Sequence, residues 1–251
     1  MIPHILSEFI NELEALKLDS VKIKAIPVND GIPMSTTESK FLGTPYLPLG
    51  YEYPQDKKGD PMILIAQINF SEIPYIKNYP DKGILQFFVS STDWYDMDDY
   101  TIIYHEVISD QHQTDFSFLT KELYEDSPIV CQHKLEFKKS VEFGGSKDHR
   151  FNLSFNGMGF HDFYKTLPTD LVKVLKNFFD ASGHKLGGYA YFTQSDPRDY
   201  DDTIKKDILL LQIDSDQEIM FGDNGIANIF IHPNDLKNKK FEKAWFNWDC
   251  Y

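Results

Sequence analysis

The sequence predicts an α+β fold, largely antiparallel sheets with flanking helices, built from an internal duplication into two pseudo-related lobes. Three observations predict it. Short motifs recur in the same order about 140 residues apart. Alternating apolar segments bounded by Pro- and Gly-rich turns outnumber helical ones. Two segments, one near the start of each half, carry helical periodicity.

The recurrence runs through three motifs. Ser39-Lys40-Phe41-Leu42-Gly43 ahead of Tyr46 is answered by His184-Lys185-Leu186-Gly187-Gly188 ahead of Tyr189 and Tyr191. Ile63–Asn69 is answered by Ile208–Asp214, and Gly83–Val89 by Gly225–Ile231. The offsets are 144 residues (Leu42 to Leu186), 145 (Gln67 to Gln212) and 142 (Gly83 to Gly225). In this alignment Lys40 is matched by His184, and Asn69 by Asp214. The repeat covers approximately 1–90 and 167–251 of a single compact domain. Residues 91–166 form an acidic and loop-rich insertion, and the seam between the halves is the expected ligand site.

Element by element, residues 3–17 read as an amphipathic helix, with Ile5, Leu6, Phe9, Ile10, Leu13 and Leu16 on one face. Val21–Ile26 alternates as a strand. Residues 27–61 hold six prolines and read as pinned loop. Strands follow at Met62–Asn69, Gly83–Ser90 and Thr101–Ile108. The Ile63-Leu64-Ile65 run is apolar on both faces, as in a strand covered on both sides. Pro128–Phe143 reads as extended, and Gly144-Gly145 opens a loop to about Tyr164. A second helix spans about Leu167–Asp180, with Leu171, Val174, Leu175, Phe178 and Phe179 as its apolar face. Pro168 lies near its first turn and Gly183 just beyond its end. Strands close the chain at Gly188–Thr193, Ile208–Asp214, Ala227–His232 and Ala244–Asp249.

Composition bounds the class. The 251 residues are 41% hydrophobic and 25% charged, ordinary for a globular protein. The aromatic share of 15% leans towards sheet and core. Two cysteines, Cys131 and Cys250, are too few for a disulfide framework. The N-terminus lacks a signal-peptide pattern and no apolar run reaches membrane-span length, so a cytoplasmic setting is expected. Net charge is −14 and localised: residues 93–126 carry ten acids and one base, residues 196–223 nine acids and three bases. Such a field repels phosphate backbones and argues against nucleic acid, whereas it attracts cations or a basic partner. Solvated loops that aid solubility are the simpler account.

The densest polar cluster holds His184, Gln194, Asp196, Arg198, Asp214, Asp216, Asp223 and Asp249. Asp214, Asp216 and Glu218 alternate, so on an extended segment they share a side and suit a hard cation, while a strand end running into a charged, solvated turn is the simpler account. The EF-hand pattern fails, because Ile219 stands at its sixth position and Gly225 at its twelfth. His184 suits a general base, or a helix-end cap. Arg198 reads as a turn residue paired with Asp196, Asp199 or Asp201, or as an anion contact. Cys131 and His133 share a strand parity without an oxyanion or third-member signal, which favours a structural cysteine. Trp245, Phe246 and Trp248 read as core anchors with Trp245 turned outward, or as a stacking platform. No P-loop, dinucleotide fingerprint, His-Glu-x-x-His or Cys-x-x-Cys occurs, and no cofactor is expected.

The C-terminal motifs His184–Tyr189, Gln194–Arg198, Leu209–Asp216, Phe221–Gly225 and Asn247–Cys250, taken in order, resemble the YwqG-like family of bacterial proteins, a domain of unknown function. Ser39–Gly50, Ala66–Asn69 and Gly83–Phe88 are similar to its N-terminal half. Ala190 stands where the family pattern has proline. The resemblance implies the fold and a bacterial cytosolic setting, and carries no catalytic residues.

Three functional expectations follow. The first is a non-enzymatic binding protein, with His184, Tyr191, Gln194, Asp196, Arg198, Gln212, Asp223, Asn228, Gln67 and Gln86 as ligand-binding candidates. Paired amides fix a ligand's orientation without doing chemistry. Its partner is a small polar ligand or a basic protein, the latter in the manner of an immunity protein. The second is a hydrolase or transferase using His184 with Asp196, Asp214 or Asp223, with or without a divalent ion. A structural subunit of a larger assembly is a third.

Overall fold

Ten strands form one antiparallel sheet in the computed structural model, which describes residues 2–29, 32 and 34–251. They are β1 (Leu18–Pro27), β2 (Lys40–Phe41), β3 (Ile63–Asn69), β4 (Ile84–Val89), β5 (Tyr100–His105), β6 (His133–Glu142), β7 (Lys185–Gly187), β8 (Ile208–Asp214), β9 (Ile226–Ile231) and β10 (Trp245–Asp249). Their order is β10-β9-β8-β7-β1-β6-β2-β3-β4-β5. This order is symmetric about the β1–β6 boundary. Short β7 continues from β1 just as short β2 continues from β6.

The two halves are therefore one continuous sheet and not two lobes with a cleft between them. The expected seam is filled by a ten-pair ladder from Leu18↔Glu142 to Pro27↔His133. The stretch 91–166 contributes β5 and β6 to that sheet. Matching irregularities mark both sides: β3 bulges between Leu64 and Ala66, β8 between Leu209 and Leu211.

Strands β3, β4 and β9 are buried at every position and β8 at all but its ends, as their unbroken apolar runs require. One face of the sheet lines the main core, which includes Val21, Phe41, Ile65, Phe87, Leu211 and Phe246. On the other face smaller clusters cover β3–β4 (Met62, Leu64, Phe88) and β8–β9 (Ala190, Phe192, Leu209, Phe230). The sheet curls into a nearly closed barrel. Its outer strands meet through side chains, with the Phe87 and Phe246 rings 4.9 Å apart and Tyr100 Oη donating to Ala244 O at 3.2 Å.

Helices α1 (Ile10–Ala15), α2 (Phe160–Lys165) and α3 (Thr169–Phe178) share a separate aromatic core of Leu6, Phe9, Leu13, Phe155, Phe163, Leu175 and Phe179. The first helical segment opens as a 3-10 helix, His4–Phe9, before α1. In α3 Val174 is exposed, while Leu175 and Phe179 carry the packing. Helix α2 lies within the predicted loop. It starts after Gly159 and is too short and too aromatic-clustered to show a helical period. A last helix, α4 (Pro233–Lys237), is capped by His232, whose Nδ1 accepts from Asn234 N.

The strand expected at Gly188–Thr193 is displaced. Strand β7 ends at Gly187, because Gly187 and Gly188 take φ +66° and +73°, a conformation that breaks the ladder. A Cβ on Gly188 would collide with the Glu142 carboxylate.

Candidate functional site

The paired amides form two equivalent clasps inside the barrel wall. Gln67 Oε1 accepts from Tyr46 N (2.8 Å), and its Nε2 donates to Thr36 O (2.7 Å) and Glu38 O (2.8 Å). Gln212 Oε1 accepts from Tyr191 N (2.8 Å), and its Nε2 donates to Ala181 O and Gly183 O (both 2.8 Å). The next strand completes each clasp. Gln86 Nε2 donates to Tyr46 O (2.6 Å) and Asn228 Nδ2 to Tyr191 O (2.8 Å). All four side chains are fully buried. Their amides thus tie loops to strands and leave little to offer a ligand, contrary to the sequence expectation.

The clasps also correct the alignment of the halves. Lys40 pairs with Gln67 and Lys185 with Gln212, so Lys40 matches Lys185 and Ser39 matches His184. Both lysines are buried. Lys185 Nζ donates to both Glu142 oxygens at 3.2 and 3.1 Å, and Glu142 also accepts from Tyr189 N at 2.8 Å. Lys40 Nζ donates to two carbonyls, Ser35 O (2.6 Å) and Thr44 O (3.1 Å). Burial pushes its ammonium down to about 8, against the pull of Glu38 and Glu72.

Arg198 is the expected turn residue paired with Asp196, but it does not face solvent. It is fully buried, with its guanidinium 4.4 Å from the Phe230 ring centroid. Its Nε and Nη2 grip Asp196 at 2.9 and 2.7 Å, Nη2 reaches Asp148 at 3.0 Å, and Nη1 donates to Asp207 O at 2.8 Å. Arg150 grips Asp148 from the other side at 2.8 and 2.7 Å and donates to Gly188 O at 2.7 Å. Burial alone would raise the Asp148 carboxyl, but Arg150 and Arg198 hold it well below the usual range. Asp199 and Asp201 take no part in this quartet. Asp148 and Arg150 were missed because they lie in the Gly/Asn/His-rich loop, where a charged run reads as solvated surface.

Asp148, His149 and Asp196 bring one ligand atom each within 4.8 Å of the others. Two guanidinium groups already neutralise the two carboxylates, so a cation placed there would meet two positive charges. The donor set fits a buried ion quartet better than a metal centre.

His184 precedes β7 instead of capping a helix. Its Nδ1 accepts from Asp214 N (3.0 Å) and its Nε2 faces Asp216 Oδ2 (3.3 Å). Burial lowers its pKa, and Asp216 opposes that. Both ring nitrogens are engaged within the fold, and Asp196 lies in the quartet instead. Asp214 accepts from Gly183 N (2.6 Å) and Ser215 N (2.8 Å), Asp216 from Glu218 N (2.9 Å) and Ile219 N (3.0 Å). Strand β8 ends at Asp214, so Asp214, Asp216 and Glu218 lose the shared side that alternation implied. Cys131 likewise precedes β6, which removes its strand parity with His133. Gln194 Nε2 donates to Cys250 O, and Asp249 accepts from Thr193 N and Gln194 N. Trp245 is not turned to solvent: its ring stacks on Phe230 at 4.7 Å and its Nε1 donates to Asp207 Oδ2.

What remains uncommitted lies on the surface where the acidic segments meet. Trp94 packs on Phe221 at 5.6 Å and on Trp248 at 5.0 Å, and Trp248 Nε1 donates to Tyr95 O at 3.0 Å. Residues 128–130 pair with 218–220 through Val130 N→Glu218 O (2.9 Å) and Met220 N→Pro128 O (2.7 Å). Asp93, Asp98, Asp126, Glu218 and Asp223 flank these contacts in sequence, as do the exposed Tyr95 (51%), Met97 (42%), Val130 (73%) and Met220 (42%). Asp96 is partly neutralised by Lys57 at 2.9 Å. Asp223 is exposed, and Asn224 Nδ2 donates to its carboxylate.

Fold and site together define a sheet-rich protein in which Gln67, Gln86, Gln212, Asn228, Arg198 and Lys185 are bonded within the scaffold, while Asp93, Asp98 and Asp223 are exposed. Among the described residues no helix is long and apolar enough to cross a membrane. The chain belongs to the family described as Domain of unknown function (DUF1963), whose profile matches residues 39–250. No curated protein matches it.

Proposed function

We propose that this protein is a non-enzymatic binding protein whose acidic face captures a basic protein partner, in the manner of an immunity protein. One observation carries the reading: the start of one acidic segment packs against the end of the other, distant in sequence, through Trp94 and Phe221 at 5.6 Å, with Trp248 beside them. Clustered carboxylates speed encounter with a basic partner. Exposed Tyr and Met supply the apolar contact that interfaces favour. The engaged nitrogens of His184 weigh against a hydrolase or transferase role. The matched clasps and bulges support descent from one duplicated unit, the YwqG-like motif order supports placement in that branch of the family, and a bacterial cytoplasmic setting accompanies both.

The test is partner capture by the wild-type chain and by a D93N/D98N/D223N variant, at low and high salt. A basic protein retained at low salt, released at high salt and lost with the variant is expected. Capture indifferent to salt and to the three substitutions would refute the reading.

A further inference from the structure

A second concave surface lies between α2, α3 and the loop that follows β6. It encloses about 750 Å³, within the range of small-molecule sites. Its wall is aromatic. Phe151 and Phe160 lie 4.8 and 5.3 Å from Phe179, Tyr164 lies 5.7 Å from Phe160, and Tyr191 borders the same hollow. These rings present faces and edges to an open space, which suits a planar guest.

The charge around the hollow runs against that of the protein. Lys147, Lys176 and His161 line it, with Asp180 as the one acid among the lining residues. Asp180 turns one oxygen to Ser182 N at 2.9 Å. Lys176 Nζ sits 5.2 Å from the Tyr164 ring centroid, held by a π face and not by a carboxylate. Lys147 Nζ donates to a carbonyl, Gln194 O, at 3.5 Å, and its charge also acts on the Asp249 carboxylate. His161 Nδ1 is 3.1 Å from Tyr164 Oη, which orients the imidazole beside the lysines. In a chain of net charge −14, two exposed lysines and a histidine converging on an aromatic wall is a local reversal.

We infer that this hollow binds a small planar anion, an aromatic or heteroaromatic ring carrying a phosphate or carboxylate. The ring stacks against Phe160 and Tyr164, and the anionic group lies between Lys147 and Lys176. Tyr191 links the site to the scaffold, because its main chain is held by the Gln212–Asn228 clasp.

Titration calorimetry on the full chain tests this with three probes: 1-naphthyl phosphate, 1-naphthol and inorganic phosphate. The naphthyl phosphate binds at least about tenfold tighter than either fragment, the size of a charge-assisted contact added to stacking. K147Q/K176Q, both on exposed side chains, reduces naphthyl phosphate affinity about tenfold and leaves naphthol binding unchanged. Y164A weakens both ring-bearing probes. Naphthyl phosphate binding no tighter than naphthol, an affinity unchanged in K147Q/K176Q, or no binding of naphthyl phosphate would each overturn the assignment. A D93N/D98N/D223N variant binds the probe as wild type does, which separates this site from the acidic face.

Discussion

Lys40 and Lys185 occupy the same place in the two halves of the sheet, yet Lys185 meets the carboxylate of Glu142 while Lys40 meets the carbonyls of Ser35 and Thr44. The two positions separate two ways of burying an ammonium group, one bonded to a carboxylate and one bonded to carbonyls with carboxylates acting only at a distance.

Lys40 predicts a stability that rises with pH. Its folded pKa is about 8 against an ordinary value of 10.5, so between these values the unfolded chain binds more protons than the folded one. Stability therefore increases from pH 8 towards 10.5, by about 3 kcal/mol from this group. Above pH 10 the buried tyrosines Tyr53 and Tyr79, whose pKa values are raised by burial, act in the opposite sense. Urea unfolding of wild type and K40M across pH 7.5–10 isolates the lysine: the difference between the two shrinks or reverses as pH falls. A parallel pair of curves would contradict it.

At the equivalent site E142Q strands the Lys185 ammonium in a buried position. A loss of about 3–5 kcal/mol is expected, the cost of an uncompensated buried charge. The double variant E142Q/K185M recovers most of it, because the introduced amide oxygen still accepts from Tyr189 N. Denaturation midpoints of the single and double variants measure the coupling.

The clasps predict a contrast between two glutamines that the sequence treats alike. Q212L leaves Tyr191 N, Ala181 O and Gly183 O without their buried partner and costs ~3 kcal/mol or more. Q194A removes one exposed hydrogen bond to Cys250 O and changes stability by about 0.5 kcal/mol. Equal effects would mean the clasp is not structural.

On the acid side His105 is the informative group. Burial pushes its pKa down to about 4, while its Nε2 faces Gln86 Oε1 at 3.1 Å. The folded pKa lies below the unfolded one, so stability falls as pH drops from about 6.5 towards 4. His133, His149 and His184 are shifted in the same direction and add to the slope. H105N therefore flattens the acid limb in part, and thermal melting between pH 4 and 7 reads the difference from wild type.

Much of the sheet was legible in the sequence because its signals are local. The Ile208–Asp214 strand coincides with its apolar run, and the 145-residue offset finds the matched glutamines without any structure. What escaped depends on distant pairs. Arg198 is buried only because Asp148 and Arg150 arrive from a loop about 50 residues earlier, and nothing near Arg198 announces them. The seam was misplaced for the same reason. Motifs in order imply two units, but not that the long strand of each lies beside the other. The short β7 reflects Glu142 beneath Gly188, again a contact made across more than 40 residues.

The β1–β6 ladder has a temporal consequence. Leu18 faces Glu142, 124 residues downstream, and β7, on the other side of β1, comes later still. During synthesis β1 waits, with both of its edges unpaired, until residues 133–142 have followed. Pairing so remote in sequence is slow to close. Until it closes, the nascent chain presents an open strand, and this central ladder sets the time at which the protein becomes safe from its own edges.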